Sequence, residues 1–90
     1  ATGSTGSGIR LIGDSDRALF NNIEGGNQNI RVVGDNADVI GNTCSNANFQ
    51  NIDVQTGATD TVVERNSKQG AGSGIQDNGT TSTIGTNRGM

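Results

Sequence analysis

Two short apolar motifs return along this chain at nearly constant spacing, and that recurrence decides what it can fold into. Ile9-Arg10-Leu11-Ile12-Gly13-Asp14 is echoed by Ile30-Arg31-Val32-Val33-Gly34-Asp35, then by Ile52-Asp53-Val54-Gln55-Thr56-Gly57, and last by a worn copy, Ile75-Gln76-Asp77-Asn78-Gly79. The leading isoleucine advances by 21, 22 and 23 positions and the glycine by 21, 23 and 22. A second burst, closing on asparagine, follows each: Ala18-Leu19-Phe20-Asn21, Val39-Ile40-Gly41-Asn42, Val62-Val63-Glu64-Arg65-Asn66 and Ile84-Gly85-Thr86-Asn87. Two anchors on one period define about four repeat units, the fourth truncated.

The bursts are three to five residues long, β-branched and partly alternating, which is the pattern of strands. No stretch keeps helical spacing over the roughly 10–12 residues a helix needs. A strand, a Gly-Asp or Gly-Ala turn, a second strand and an Asn/Gly-rich return make one coil. One coil alone cannot bury its Ile and Val; coils stacked about 4.8 Å apart can, each strand pairing in parallel with its copy. The expected fold is therefore all-β, a β-solenoid (parallel β-helix) of about four coils over residues 9–90, with residues 1–8 as a flexible leader. Ile9, Ile30, Ile52 and Ile75 form one aliphatic ladder and Leu11, Val32 and Val54 a second. Leu19, Ile40, Val63 and Ile84 form a third, and Asn21, Asn42, Asn66 and Asn87 an amide ladder at turns, where Asn tolerates left-handed backbone.

Composition narrows the function classes. Of 90 residues, 44 are Gly, Asn, Ser or Thr, and there is no His, Trp, Tyr or Pro. Composition alone would suggest disorder; the periodic order of the residues argues against it. Catalysis through histidine and zinc sites with histidine ligands are excluded. With nine acids against six bases and a net charge of −3, nothing builds the basic stripe that nucleic acid needs. No apolar stretch suggests membrane insertion. Cys44 allows no internal disulfide and is expected after a strand, as a small apolar filler.

The cadence from Val39-Ile40-Gly41-Asn42 through Ile52-Asp53-Val54 to Val62-Val63-Glu64-Arg65-Asn66 and Gly74-Ile75-Gln76-Asp77-Asn78-Gly79 resembles the right-handed parallel β-helix repeats of pectate-lyase-like proteins. Such repeats occur in polysaccharide lyases, alginate epimerases and bacteriophage tailspikes. The resemblance implies binding or cleavage of acidic or bacterial-surface polysaccharide, often by a trimer, in a virion or extracellular setting. It carries over no catalytic residue, because no motif fixes which arginine would serve as a base. Any activity would be that of a polysaccharide lyase or glycoside hydrolase.

Several residues have both a functional and a plain reading. Asp14 and Asp35 share a slot in successive coils and could hold a calcium ion, with Asp16 or Asp38 nearby; equally, both are turn carboxylates facing water. Arg10 and Arg31 stack, with Asp53 in the third slot, and could grip acidic sugars; equally, they are a solvated face. Glu24, Asp38, Asp60 and Glu64 could supply an acid–base pair, as in any acidic sheet protein. Asn78-Gly79-Thr80 matches a glycosylation acceptor, one match being expected at this Asn content.

Four coils bury about a dozen aliphatic side chains, which barely offsets the ordering entropy, and no cap is evident at either end of the stack. Packing as a homotrimer, membership of a longer solenoid, or endless stacking into a fibril would each relieve this. The worn fourth copy and Thr86-Asn87-Arg88-Gly89-Met90 suggest an end rather than a continuation. The leading functional expectation is a structural and receptor-recognition module of a tailspike or surface adhesin. The alternatives are a prion-like solenoid that templates amyloid in signalling, whose 21-residue repeats resemble fungal heterokaryon-incompatibility domains, and a fragment of a polysaccharide lyase or epimerase.

Overall fold

The structure is a computed structural model and describes residues 8–90. Among the described residues eleven strands all pair in parallel, each with its copy one turn away. The first sheet stacks β1 (Ile9–Leu11), β4 (Ile30–Val32), β7 (Gln50–Val54) and β10 (Ser73–Asp77). A second contains β2 (Arg17–Leu19), β5 (Asp38–Ile40), β8 (Val62–Glu64) and β11 (Thr83–Ile84). A third contains β3 (Asn22–Glu24), β6 (Thr43–Ser45) and β9 (Ser67–Gln69). The molecule is a β-solenoid of three full turns and a partial fourth. Each full turn has three strands, not two: the Asn/Gly-rich return contains the third, whose polar composition hid it from the apolar pattern.

Three-residue strands can alternate only once, so in the second and third sheets the central residue faces inward and its neighbours outward. The inward column of the first sheet is the expected Ile9–Ile30–Ile52–Ile75, beside Leu11–Val32–Val54. In the second sheet the register corrects the expected ladder by one residue. The column is Ala18–Val39–Val63–Ile84, whereas Leu19, Ile40 and Glu64 align on the outside. A contiguous run such as Val39-Ile40 does not say which member faces in; the pleat decides. The third sheet directs Ile23 and Cys44 inward, so Cys44 lies within a strand rather than after one. Ile23, Ile30, Val32, Val39, Ile52, Val54 and Val63 are fully buried, each stabilising by about 1.5–3 kcal/mol relative to exposure.

Every turn bends at three corners, and a left-handed residue marks nearly all of them. The first corner carries Ser15, Asn36, Asp60 and Thr81, with φ between 56° and 60°. The second carries Phe20, Gly41 and Arg65, and the third Gly25, Asn46 and Gly70. At all of these but Gly70 and Thr81, the N–H of the left-handed residue donates to a carbonyl of the next turn, as in Ser15 to Asp35 (2.9 Å), Gly41 to Glu64 (3.2 Å) and Gly25 to Ser45 (2.9 Å). Corner backbone that a strand ladder would leave unpaired is thereby satisfied.

The third turn is longer at the first corner, and the glycine anchor fails there. Ala58, not Gly57, falls below Gly34: Asp35 is bonded to Thr59, and a side chain on Gly79 would meet the Ala58 carbonyl at 2.8 Å. Gly57 projects where an added Cβ would touch nothing. Residues 1–7 of the expected leader lie outside the described residues, while Gly8 already donates to Gln28 (3.0 Å). At the last turn the core stays partly open: Ile84, at the end of the second sheet's inward column, is 42% exposed and Ile75 is only half-buried. Lys68 takes the inward register slot below Cys44 and carries Nζ to the Gly70 carbonyl (2.8 Å), while Met90 packs against the core beside Gly74.

Candidate functional site

The asparagines at the second corner form a continuous column. Oδ1 of Asn42 accepts both the backbone N–H (2.9 Å) and the side-chain N–H (3.0 Å) of Asn21. Asn66 does the same for Asn42, and Asn87 for Asn66. The Nδ2 of Asn42, Asn66 and Asn87 also donates to a carbonyl of the second-sheet strand one turn earlier, Asn42 to Ala18 (2.8 Å) and Asn66 to Val39 (2.9 Å). The left-handed residue is the one before each asparagine in the first three turns, so the amide itself turns inward. Asn42 and Asn66 are fully buried with every polar atom engaged, which leaves them nothing to offer a ligand. A second buried pair escaped the sequence pattern: Asn51 Nδ2 donates to Asn29 Oδ1 (2.6 Å), and Asn29 Nδ2 to the Gly25 and Ser45 carbonyls. Their place just before the isoleucine column was the available signal.

Asp14 and Asp35 do fall in neighbouring turns, Ser15 donating to the Asp35 carbonyl. Oδ1 of Asp35 accepts from the Thr59 hydroxyl (2.8 Å) and N–H (3.2 Å) on the side away from Asp14, which is exposed. Asp16 accepts from the Gly13 N–H (2.8 Å), and Asp38 pairs with Arg17 (3.5 Å). Among the described residues no group of three or more Asp, Glu, Cys or His is placed to hold a metal ion.

Arg10, Arg31, Asp53 and Gln76 form one outward row on the first sheet. Arg10 is exposed. Arg31 is drawn along the row, one guanidinium nitrogen donating to Gln55 Oε1 (3.1 Å) while its Nε is buried. Gln55 in turn donates to Asp53. Asp53 is only 3% exposed although it faces outward, and its Oδ1 has no partner. Burial pushes its carboxyl above the ordinary range, opposed by the Gln55 hydrogen bond and by the Arg31 charge. The row is thus a partly sealed polar seam rather than a solvated face.

Two adjoining clefts open over the last turns. One, of about 410 Å³, is lined by Arg65, Asn66, Ser67, Thr86, Asn87 and Arg88. Its neighbour, about 350 Å³, shares Ser67 and Arg88 and adds Lys68, Gln69 and Gly89. Three of the chain's six basic residues line them, and no carboxylate does. Arg65 is fixed at its corner by its N–H bond to Thr86 (2.7 Å), and Arg88 beneath Ser67 by reciprocal backbone bonds to Asn66 (2.7 Å) and from Lys68 (2.8 Å). Sequence reasoning passed over both arginines because neither repeats along the period.

No protein-family model, curated protein or solved structure matches the chain.

Proposed function

We propose that this chain is a structural and receptor-recognition module of the pectate-lyase-like β-helix kind, working as part of a phage tailspike or surface adhesin. It acts in a virion or extracellular setting, as a homotrimer, and binds bacterial-surface polysaccharide. The observation that carries this reading is the commitment of the interior and corners to stacking, through aliphatic columns, left-handed corners and the asparagine ladder. Chemistry is left to the outward rows, which suits a stiff scaffold presenting a surface. Leu19 (40% exposed), Phe20 (78%) and the adjacent Ile40 support a contact between subunits on the second sheet.

Sedimentation over a wide concentration range, with binding assays on purified bacterial surface polysaccharides, tests the reading. A discrete trimer that retains polysaccharide is expected. Growing, seedable fibrils would overturn it in favour of the signalling solenoid, and turnover of a bound polysaccharide in favour of a lyase or epimerase fragment.

A further inference from the structure

We infer that the paired clefts lined by Arg65, Arg88 and Lys68 bind the anionic groups of an acidic glycan, its carboxylates or its sulfate or phosphate esters. This rests on the reading of the chain as a polysaccharide-recognition module and names the site and charge class. The protein is acidic overall, yet half of its basic residues line two adjoining hollows. Neither Arg65 nor Arg88 makes an ion pair among the described residues, where Arg17–Asp38 is the one salt bridge. The nearest acid in sequence, Glu64, lies over Gly85, where an added Cβ would come within 3.0 Å of its carboxylate oxygen. Lys68 uses one N–H on the Gly70 carbonyl and keeps donors for a second acceptor.

Planar guanidinium forks suit oxyanions, and the backbone of both arginines is held by bonds between turns, so the points from which their side chains reach are set before a ligand arrives. The second hollow, with Ser67 and Gln69 in its lining, exposes more polar than apolar surface, while the first exposes mostly apolar surface on which the face of a sugar ring can lie. Arg88 is common to both hollows, so the two together fit a chain bearing more than one charge. A nucleic acid would need a wider basic surface and aromatic stacking platforms, whereas both phenylalanines lie in other turns of the solenoid.

The full chain is titrated with an oligouronate of four residues, with its uncharged methyl ester, and with an octamer of deoxythymidylate. Binding of the uronate above the ester and the oligonucleotide is expected, weakening as salt rises. Arg65→Gln and Arg88→Gln should each weaken it roughly threefold to fivefold with unchanged melting temperature. Arg17→Gln makes the same charge change in the first turn and should leave binding intact. Equal losses in all three variants, equal binding of uronate and ester, or preference for the oligonucleotide would overturn the assignment. A surface polysaccharide bound equally by wild type and the Arg65 and Arg88 variants would sink the cleft alone. A chain that binds no glycan would sink the recognition reading with it.

Discussion

Asn42 shows how much one side chain carries in this fold. Its carbonyl oxygen accepts from the turn above while its amide donates to Ala18, Ile40 and Asn66. Aspartate has the same shape but no N–H, and would set a carboxylate against three acceptors. Asn42→Asp should therefore cost on the order of 3 kcal/mol at neutral pH, read as a lowered midpoint in urea unfolding, and part of the loss should return in acid where the carboxyl regains a donor. An unchanged midpoint would mean the ladder contributes nothing. At the preceding position, Phe20 holds a left-handed φ of 54° and lays its ring where a side chain on Gly41 would have to sit. Gly41 is thus favoured twice over: its φ of 71° costs glycine least, and any side chain there would have to displace the ring above it.

At the scale of the elements, the outward row of the first sheet behaves unlike its neighbours. Asp53 on β7 faces Arg31 on β4, Gln76 on β10 and Gln55 beyond its own strand, and Arg10 stands one rung further on. Burial raises its pKa in the folded chain from the ordinary 3.8, so the folded state binds this proton more tightly than the unfolded state. The sign follows: this group favours folding below the ordinary value and loses that contribution as pH rises through the folded value. Urea melts of the wild type and Asp53→Asn across the acid range should show a stability difference that moves against the wild type as pH increases. A difference independent of pH would show that the carboxyl titrates as it does in the unfolded chain.

For the molecule as a whole, stability is a property of the stack, because each strand is bonded only to its copies in neighbouring turns. Cys44 offers a probe of that cooperativity. It is completely buried between Ile23 and Lys68, and burial pushes its thiol up to about 12. Thiolate-specific reagents should label the native chain very slowly at pH 8, and the rate should rise in step with unfolding by urea. Rapid labelling without denaturant would mean that the third sheet opens independently of the other two. Association adds to the same balance: if Leu19, Phe20 and Ile40 pack between subunits, labelling will slow further as protein concentration rises.

The recurrence of Ile9, Ile30, Ile52 and Ile75 was enough to establish a parallel β-solenoid, its period and two of its inward columns, because buried apolar positions repeat wherever coils stack. The asparagine ladder was legible for the same reason. The third strand was not, since Asn22-Ile23-Glu24, Thr43-Cys44-Ser45 and Ser67-Lys68-Gln69 each place a single residue inward and share no residue type there. Nor could the pattern say that Val39 rather than Ile40 faces the core, or that Ala58 replaces Gly57 at the first corner. Those are matters of register, which the pleat and the corner hydrogen bonds decide. The candidate site lay further out of reach. Arg65 and Arg88 differ by 23 positions in sequence, and the rung-to-rung bonds of Arg65 with Thr86 and of Arg88 with Asn66 and Lys68 bring them to one hollow. Sequence alone determined the aliphatic columns of the first sheet and the asparagine ladder, which stacking makes periodic; the outward surface belongs to the tertiary structure, because nothing in stacking constrains what points to solvent.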